Sequence, residues 1–323
     1  MNRKTPVLAL VVPCYNEEAA LPRTISVFSG VLDSLAREGR IAEGSRAVFV
    51  DDGSRDATWD IIERESAGNP QVQGLKLSFN AGHQGALMAG MMETRESVDC
   101  IISMDADLQH DPAVLPKMLD LFAAGRDIVT GVRENRAGDS GVKRFFSNLF
   151  YKLMKRLGTP LGEQHADFRL LGRNVLDALS CYPERNLFLR GIIASMGFQT
   201  AVVPYTQKER EFGESKYSYR KMLSLAWNGV TSFSAVPLRV SGVLSILTTF
   251  LTVFLAITTL VDYFTGNVVS GWSSLMLTML LLGSIQLFCI AVLGEYLAKV
   301  YLEVKRRPYY IVEKKASGVA LKD

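Results

Sequence analysis

Apolar and polar positions follow two different rhythms along this chain. Over residues 1–235, short strand-like apolar runs are each followed by a polar cluster and then by a longer stretch with helical spacing. Val7–Val12 precedes a helical stretch from Glu17 to Arg37, and Ala47–Val50 precedes one at Ala57–Ser66. Val72–Leu77 leads into a small-residue stretch introduced by Gly82 and Gly85, Ile101–Met104 precedes Ala113–Ala124, and Ile128–Gly131 adds a further run. Short apolar runs bounded by turn residues read as buried strands, and the 3.6-residue spacing between them reads as helix. The repeated alternation predicts an α/β domain, a mostly parallel Rossmann-like sheet with helices on both faces. Ligands of such sheets bind beyond the carboxyl ends of the strands. Three polar clusters stand there, PCYNEE, DDGS and DADLQHD, and are expected to converge on one crevice.

The second rhythm is an absence of polarity. Val240–Val261 and Trp272–Leu293 are each 22 residues without a charge. At about 1.5 Å per residue, each spans roughly 33 Å as a helix, enough for a hydrocarbon core of about 30 Å. Ten residues separate the runs, so they read as a transmembrane hairpin. Arg239 precedes the first run, while Lys299, Lys305, Arg306, Arg307, Lys314 and Lys315 follow the second; the connecting loop has no Lys or Arg. The positive-inside rule then puts both termini and the soluble domain in the cytoplasm. The expected organisation is a domain over 1–221, an interfacial segment over 222–239, spans over 240–261 and 272–297 joined by an extracytoplasmic loop over 262–271, and a basic tail over 298–323.

Composition narrows the chemistry. A net charge of +3 gives no global field for nucleic acid. Cys14, Cys100, Cys181 and Cys289 form no close pair, which argues against a disulfide framework or a zinc site. His83, His110 and His165 lack metal-ligand spacing. Val7–Pro13 is too short for the apolar core of a signal peptide and reads as a strand.

MDADLQHDP, residues 104–112, ends a buried run with Asp105, Asp107 and Asp111. Such a cluster is a solvated turn or a cation clasp. Asp105 and Asp107 flank one neutral residue and can reach a common ion from a non-helical turn, with Gln109 adding a neutral oxygen. Hard oxygen donors suit Mg²⁺ or Mn²⁺, which keep waters and bridge substrate phosphates.

The order of VPCYNEE (12–18), VDDGSRD (50–56), MDADLQHDP (104–112), HADFRLLGR (165–173) and GESKYSYRKM (213–222) resembles the motif series of family 2 glycosyltransferases with the GT-A fold. With the terminal hairpin, the chain looks like the polyprenyl-phosphate glycosyltransferases, a group holding dolichyl-phosphate mannose synthases and bactoprenol (undecaprenyl-phosphate) glucosyltransferases. The resemblance runs over roughly residues 5–310. It implies inverting transfer of a hexose, glucose from UDP-glucose in the first instance, to polyprenyl phosphate; GDP-mannose, UDP-N-acetylhexosamine and UDP-aminoarabinose are alternative donors. Pro13, Tyr15, Asn16 and Glu17 match the loop that cradles the nucleoside, Asp52 the acid that contacts base or ribose, and Asn80 and His83 positions near the nucleotide. Asp105, Ala106 and Asp107 match the donor- and metal-binding turn, with Gln109 as a further metal ligand. Asp167 matches the proposed catalytic base. Relatives of this kind include tetramers, so a homo-oligomer is open.

A lipid phosphate monoester, with a second pKa near 6, is mostly dianionic at pH 7 and is already a nucleophile. Asp167 therefore has a second reading, as a group that orients a cation such as Arg169. Arg133, Arg136, Arg210, Ser215 and Lys216 are further candidates to face acceptor and donor phosphates, Arg as a bidentate partner and Lys as a point charge. Residues 142–157, VKRFFSNLFYKLMKRL, pattern as a basic amphipathic helix suited to the headgroup region. Two other readings compete. A processive polysaccharide synthase shares the early motifs but normally carries Gln-x-x-Arg-Trp, which does not occur here. A catalytically silent membrane scaffold has no use for Asp105, Asp107 and Asp167 together.

Overall fold

The computed structural model describes residues 4–133, 167–182, 184, 189–206, 231, 235–265 and 271–317. The helix expected at 142–157 and most of the segment expected at 222–239 lie outside them. The described residues up to Thr206, together with 307–317, form one compact unit, and those from Thr231 to Arg306 form a second.

The first unit is built on an eight-stranded sheet in the order β7-β5-β6-β4-β1-β2-β3-β8. Its strands are β1 (Leu8–Cys14), β2 (Arg46–Asp51), β3 (Val72–Leu77), β4 (Cys100–Ser103), β5 (Ile128–Arg133), β6 (Arg169–Gly172), β7 (Thr200–Tyr205) and β8 (Val312–Ser317). Pairings β1–β2, β1–β4, β2–β3 and β5–β7 are parallel; β6 runs antiparallel between β4 and β5, and β8 antiparallel to β3.

β1 is an unbroken apolar run because both of its faces are covered. Leu8, Leu10 and Val12 share a cluster with Ile25, Phe28 and Leu32 of helix α1 (Leu21–Arg37). On the other face, Val11 and Val50 lie so close to Gly90 of helix α3 (Gly82–Thr94) that any Cβ at that glycine would overlap them. Helices α2 (Thr58–Gly68), α4 (Leu115–Ala123), α5 (Arg173–Ser180) and α6 (Leu189–Ser195) complete the unit among the described residues. The helix expected from Glu17 begins four residues later. The Ala20 and Leu21 N–H groups donate to the Glu17 carbonyl at 3.1 and 2.9 Å, forming a turn, and the helix starts around Pro22, whose fixed φ suits the first turn.

The second unit contains helices α7 (Val236–Thr265) and α8 (Trp272–Lys305). They hold apolar spans of 26 and 29 residues, Val236–Val261 and Leu277–Lys305, long and apolar enough to cross a membrane. Their side chains face outward, with Phe250 70% and Leu277 70% exposed, as lipid-facing residues would be. The Cys289 thiol donates to the Ser241 carbonyl at 3.6 Å and links the two helices. The stretch expected as a basic tail differs from that reading. The α8 helix continues to Lys305, Arg306 closes it in the left-handed conformation (φ +47), and 312–317 form the eighth strand of the sheet.

Candidate active site

The chain builds β2 and β3 on one side of β1 and then crosses to place β4 on the other. That reversal opens a crevice at the carboxyl ends of β1 and β4, where PCYNEE and DADLQHDP leave the sheet. The antiparallel register does the rest. Ser103 pairs with Arg169, so the residues just after Ser103 meet those just before Arg169, and Asp105 and Asp167 come to the same edge. The Ser103 hydroxyl donates to the carbonyls of Asp167 and Arg169 and fixes this junction.

The two nucleoside-type loops are tied to each other. Asn16 adopts φ +54; its N–H donates to Ser54 Oγ at 2.9 Å, and its Oδ1 accepts from the Arg55 N–H at 2.9 Å. The Glu17 N–H donates to Thr58 Oγ1 at 2.9 Å, and Glu18 Oε2 accepts from the Ala57 N–H at 3.0 Å. Tyr15 is left 44% exposed beside Pro13, which is half-buried. Gly53 has φ +68, and a Cβ there would press on the backbone of Phe79 and Asn80 at 3.0 Å.

Asp52 sits at the start of this loop and is bonded to the next one. It is 3% exposed, and its Oδ1 accepts from the Ala81 N–H at 2.6 Å, so one carboxylate oxygen is committed to the loop that opens α3. Burial pushes its carboxyl upward, against the opposing pull of the Ala81 and Gly82 amides. Asn80 Oδ1 accepts from the Gly82 N–H at 3.2 Å in the same loop. These bonds aim the start of α3, and with it His83.

The acidic turn is shaped by its own backbone. Thr24 Oγ1 donates to the Ala106 carbonyl at 2.7 Å, Asp107 Oδ1 accepts from the Gln109 N–H at 3.2 Å, and Leu108 is in the left-handed region at φ +55. A bulky residue with positive φ is uncommon and marks a conformation imposed by its surroundings. Asp111 serves a different purpose from Asp105 and Asp107: its side chain accepts from the Ala113 N–H and caps the short helical turn at Pro112–Val114.

Asp167 is the electrostatic centre, with a side chain 13% exposed. Arg190 Nε donates to Oδ1 at 2.9 Å and Arg190 Nη2 to Oδ2 at 2.8 Å, a bidentate fork; Arg169 Nη2 lies 3.3 Å from Oδ1. His83 Nε2 stands 3.4 Å from Asp167 Oδ2 and 3.9 Å from Asp105 Oδ1, joining the two acidic elements. Burial alone would raise the Asp167 carboxyl. The bonds from His83 and Arg190, with the charges of Arg190 and Arg169, outweigh it and hold that carboxyl far below the usual range. Burial lowers the Arg169 guanidinium to about 10, against the pull of Asp167. For His83, burial works downward, but the Asp167 bond and the Asp105 and Asp167 charges raise the imidazole.

Arg133 ends β5 opposite Tyr205, and its Nε is buried with no hydrogen-bond partner among the described residues. Burial raises the Tyr205 phenol, Asp105 and Asp107 raise it further, and Arg133 opposes them. Arg133, Asp105 and Asp107 thus share one electrostatic neighbourhood around Tyr205, whereas Arg136, Arg210, Ser215 and Lys216 lie outside the described residues. Two site residues escape the sequence reading, Arg190 and His110. The signal for Arg190 was a single charge inside the apolar run LFLRGII; His110 was set aside for its lack of metal-ligand spacing.

The donor set fits a hard divalent cation. Asp105 and Asp107 offer carboxylate oxygens at the crevice edge, and Asp105 remains 39% exposed. Among the described residues no group of three or more His, Cys, Asp or Glu side chains is arranged to hold a metal by itself.

An α/β domain with acidic loops at the carboxyl edge of its sheet, followed by two apolar helices, has the architecture of a GT-A glycosyltransferase. Residues 9–180 match the model of Glycosyl transferase family 2, and the chain belongs to that family. It is 45% identical over 313 residues to the uncharacterised glycosyltransferase YkoT of Bacillus subtilis, covering 97% of this chain and 93% of that one. It is 38% identical over 313 residues to the bactoprenol glucosyl transferase of Shigella phage SfII, covering 96% and 99%. Among solved structures it is similar to the mannosyltransferase PcManGT of Pyrobaculum calidifontis, at 16% identity and a TM-score of 0.44, covering 90% of this chain and 87% of that one.

Proposed function

We propose that the protein is an inverting, metal-dependent glucosyltransferase that moves glucose from a nucleotide sugar, UDP-glucose, to polyprenyl phosphate at the membrane surface. The observation that carries this reading is near-end-to-end similarity to bactoprenol glucosyl transferases, over both the acidic crevice and the apolar hairpin.

Asp105 and Asp107, with Gln109, would hold the Mg²⁺ or Mn²⁺ whose charge neutralises the departing nucleoside diphosphate. The PCYNE loop and the Asp52-anchored start of α3 would bind the nucleoside and the donor phosphates, helped by the amides at the helix N-terminus. The acceptor phosphate oxygen attacks the anomeric carbon opposite the leaving diphosphate in a single displacement, so an α-linked donor gives a β-linked lipid monophosphosugar. Asp167 is poorly suited to the role of base. Both of its oxygens accept from cations and its carboxyl titrates far below neutrality, so it has little capacity to take a proton. Its role is to hold Arg190, Arg169 and His83 in place, and the two guanidiniums favour a nearby phosphate. Arg133 is the further described cation for that purpose.

The position of β8 supports cytoplasmic termini on both sides of a hairpin. Strand pairing cannot reach across a bilayer, and β8, after α8, pairs with β3 of the catalytic sheet. The chain between them therefore crosses an even number of times, and the stretch 262–271, without Lys or Arg, takes the far side.

The test is transfer from labelled UDP-glucose to undecaprenyl phosphate by purified protein in Mg²⁺ or Mn²⁺. Label in a lipid-extractable product from which mild acid releases the free sugar is the expected result. Label in polymer, or none with any nucleotide sugar, overturns the reading. Chelation is expected to abolish transfer, and re-addition of Mn²⁺ to restore it.

A further inference from the structure

The acidic turn contains one residue whose surroundings far exceed what a turn needs. His110 is 5% exposed, its ring stacked on Phe168 (centroids 4.8 Å apart, planes at 11°) with Tyr205 edge-on at 5.8 Å. Phe168 is itself immobile: it is fully buried, and it lies over Gly131 of β5 so closely that a Cβ at that glycine would enter its ring. This aromatic stack belongs to the strand junction, not to the turn, so it is a fixed reference against which the turn is set.

Both nitrogens of His110 face Asp105. The Asp105 N–H donates to Nδ1 at 3.2 Å, and Nε2 stands 3.6 Å from Asp105 Oδ2. An acceptor at Nδ1 requires the tautomer with its proton on Nε2, which turns that N–H toward the carboxylate. The ring thus bonds the Asp105 backbone and sets its second nitrogen beside the Asp105 carboxylate. Asp107 is held differently, through its own bond to the Gln109 N–H.

We propose that His110 is the positioning residue of the metal site: it fixes the backbone and the carboxylate of Asp105 in the arrangement that receives the cation, and transmits to it the rigidity of the Phe168–Gly131 packing. The inference rests on Asp105 being a metal ligand. His110 is not a ligand, because its Nδ1 is occupied by the Asp105 amide and its Nε2 faces the carboxylate oxygen. Outer partners of this kind typically change metal affinity 10–100-fold when removed.

The experiment measures protein-bound Mn²⁺ on the purified full chain by electron paramagnetic resonance, with Mn²⁺ and UDP as the added ligands and protein-free Mn²⁺–UDP as the blank, alongside the unfolding temperature without metal. His110→Phe keeps the ring stack and removes both nitrogens. It is expected to weaken Mn²⁺ binding at least about 10-fold while the metal-free unfolding temperature stays close to that of the parent. His110→Asn restores an acceptor for the Asp105 amide without the Nε2 donor and is expected to fall between the two. It carries the test if the Phe variant does not fold. Asp105→Asn is the control. If Asp105→Asn abolishes Mn²⁺ binding while both His110 variants bind like the parent, His110 only fills space and the proposal is overturned. If Asp105→Asn binds Mn²⁺ like the parent, or the parent binds none, the reading of Asp105 as a metal ligand fails first.

Discussion

Asp167 is the side chain in the crevice most tightly held by its neighbours, the Arg190 and Arg169 guanidiniums and the His83 imidazole. A carboxylate held far below its usual range is ionised at every pH at which the enzyme would work. Its contribution to stability is present above the unfolded-state pKa near 3.9 and is lost only as pH falls through the folded value, well into strong acid. Asp167→Asn is therefore expected to cut transfer by a similar factor, about 10²-fold from misplaced cations, at pH 6 and at pH 8.5. A loss confined to acid pH, where the lipid phosphate becomes monoanionic, would restore the role of base. Arg190→Lys is expected to be nearly as harmful as Arg190→Ala in kcat. A lysine supplies charge but not the two-pronged fork at 2.9 and 2.8 Å, and steady-state rates on the two variants check this. The acids of this site were legible in the sequence because carboxylates after an apolar run stand out. Arg190 was not, because its meaning depends on a partner 23 residues earlier in the chain.

At the scale of elements, the catalytic edge depends on close packing between strands. Gly131 has no special backbone angle; what it lacks is room, since Phe168 occupies the space of a side chain. Gly131→Ala is expected to destabilise the protein by about 1–3 kcal/mol through overpacking, and to weaken Mn²⁺ binding by shifting the ring under His110; thermal unfolding and metal titration report the two effects separately. The eighth strand protects the edge of β3. Lys315 pairs with Glu93 of α3 at 2.8 Å, Tyr310 Oη lies 3.3 Å from the same carboxylate, and the Ser78 N–H donates to the Ile311 carbonyl at 2.9 Å. Removing residues 312–323 uncovers the edge and is expected to promote self-association and to lower the unfolding temperature by about 5–10 °C, as size-exclusion chromatography and a melting curve would show. Strands β1 to β5 could be read from apolar runs. β6 and β8 could not: RLLG is short, and VEKKAS is half charged, with Glu313, Lys314 and Lys315 all exposed at the edge of the sheet.

At the scale of the whole chain, the proposed hairpin with the catalytic unit on the cytoplasmic side can be tested directly. A cysteine placed between the two apolar helices, at 266–270, is expected to react with a membrane-impermeant thiol reagent in intact cells, and one placed next to β8 only after permeabilisation. The reverse pattern would contradict a hairpin with the catalytic unit inside. The parent cysteines provide a useful background, since Cys14 and Cys100 are buried and only Cys181 is exposed among the described residues.

The linear sequence by itself determined what depends on local pattern: the β–α alternation, the acidic loops at strand ends, and two runs too apolar and too long for ordinary surface helices. These follow from hydrophobic periodicity and from the cost of burying charge, which act over a few residues at a time. Only the tertiary structure decided what depends on register and partners. The antiparallel entry of β6 beside β4 brings Asp167 to Asp105, Arg190 claims both oxygens of Asp167, and a buried histidine grips the aspartate beside it. Such contacts join residues far apart in the chain through side-chain geometry, and no short-range pattern encodes which distant partner a charge or a ring will meet.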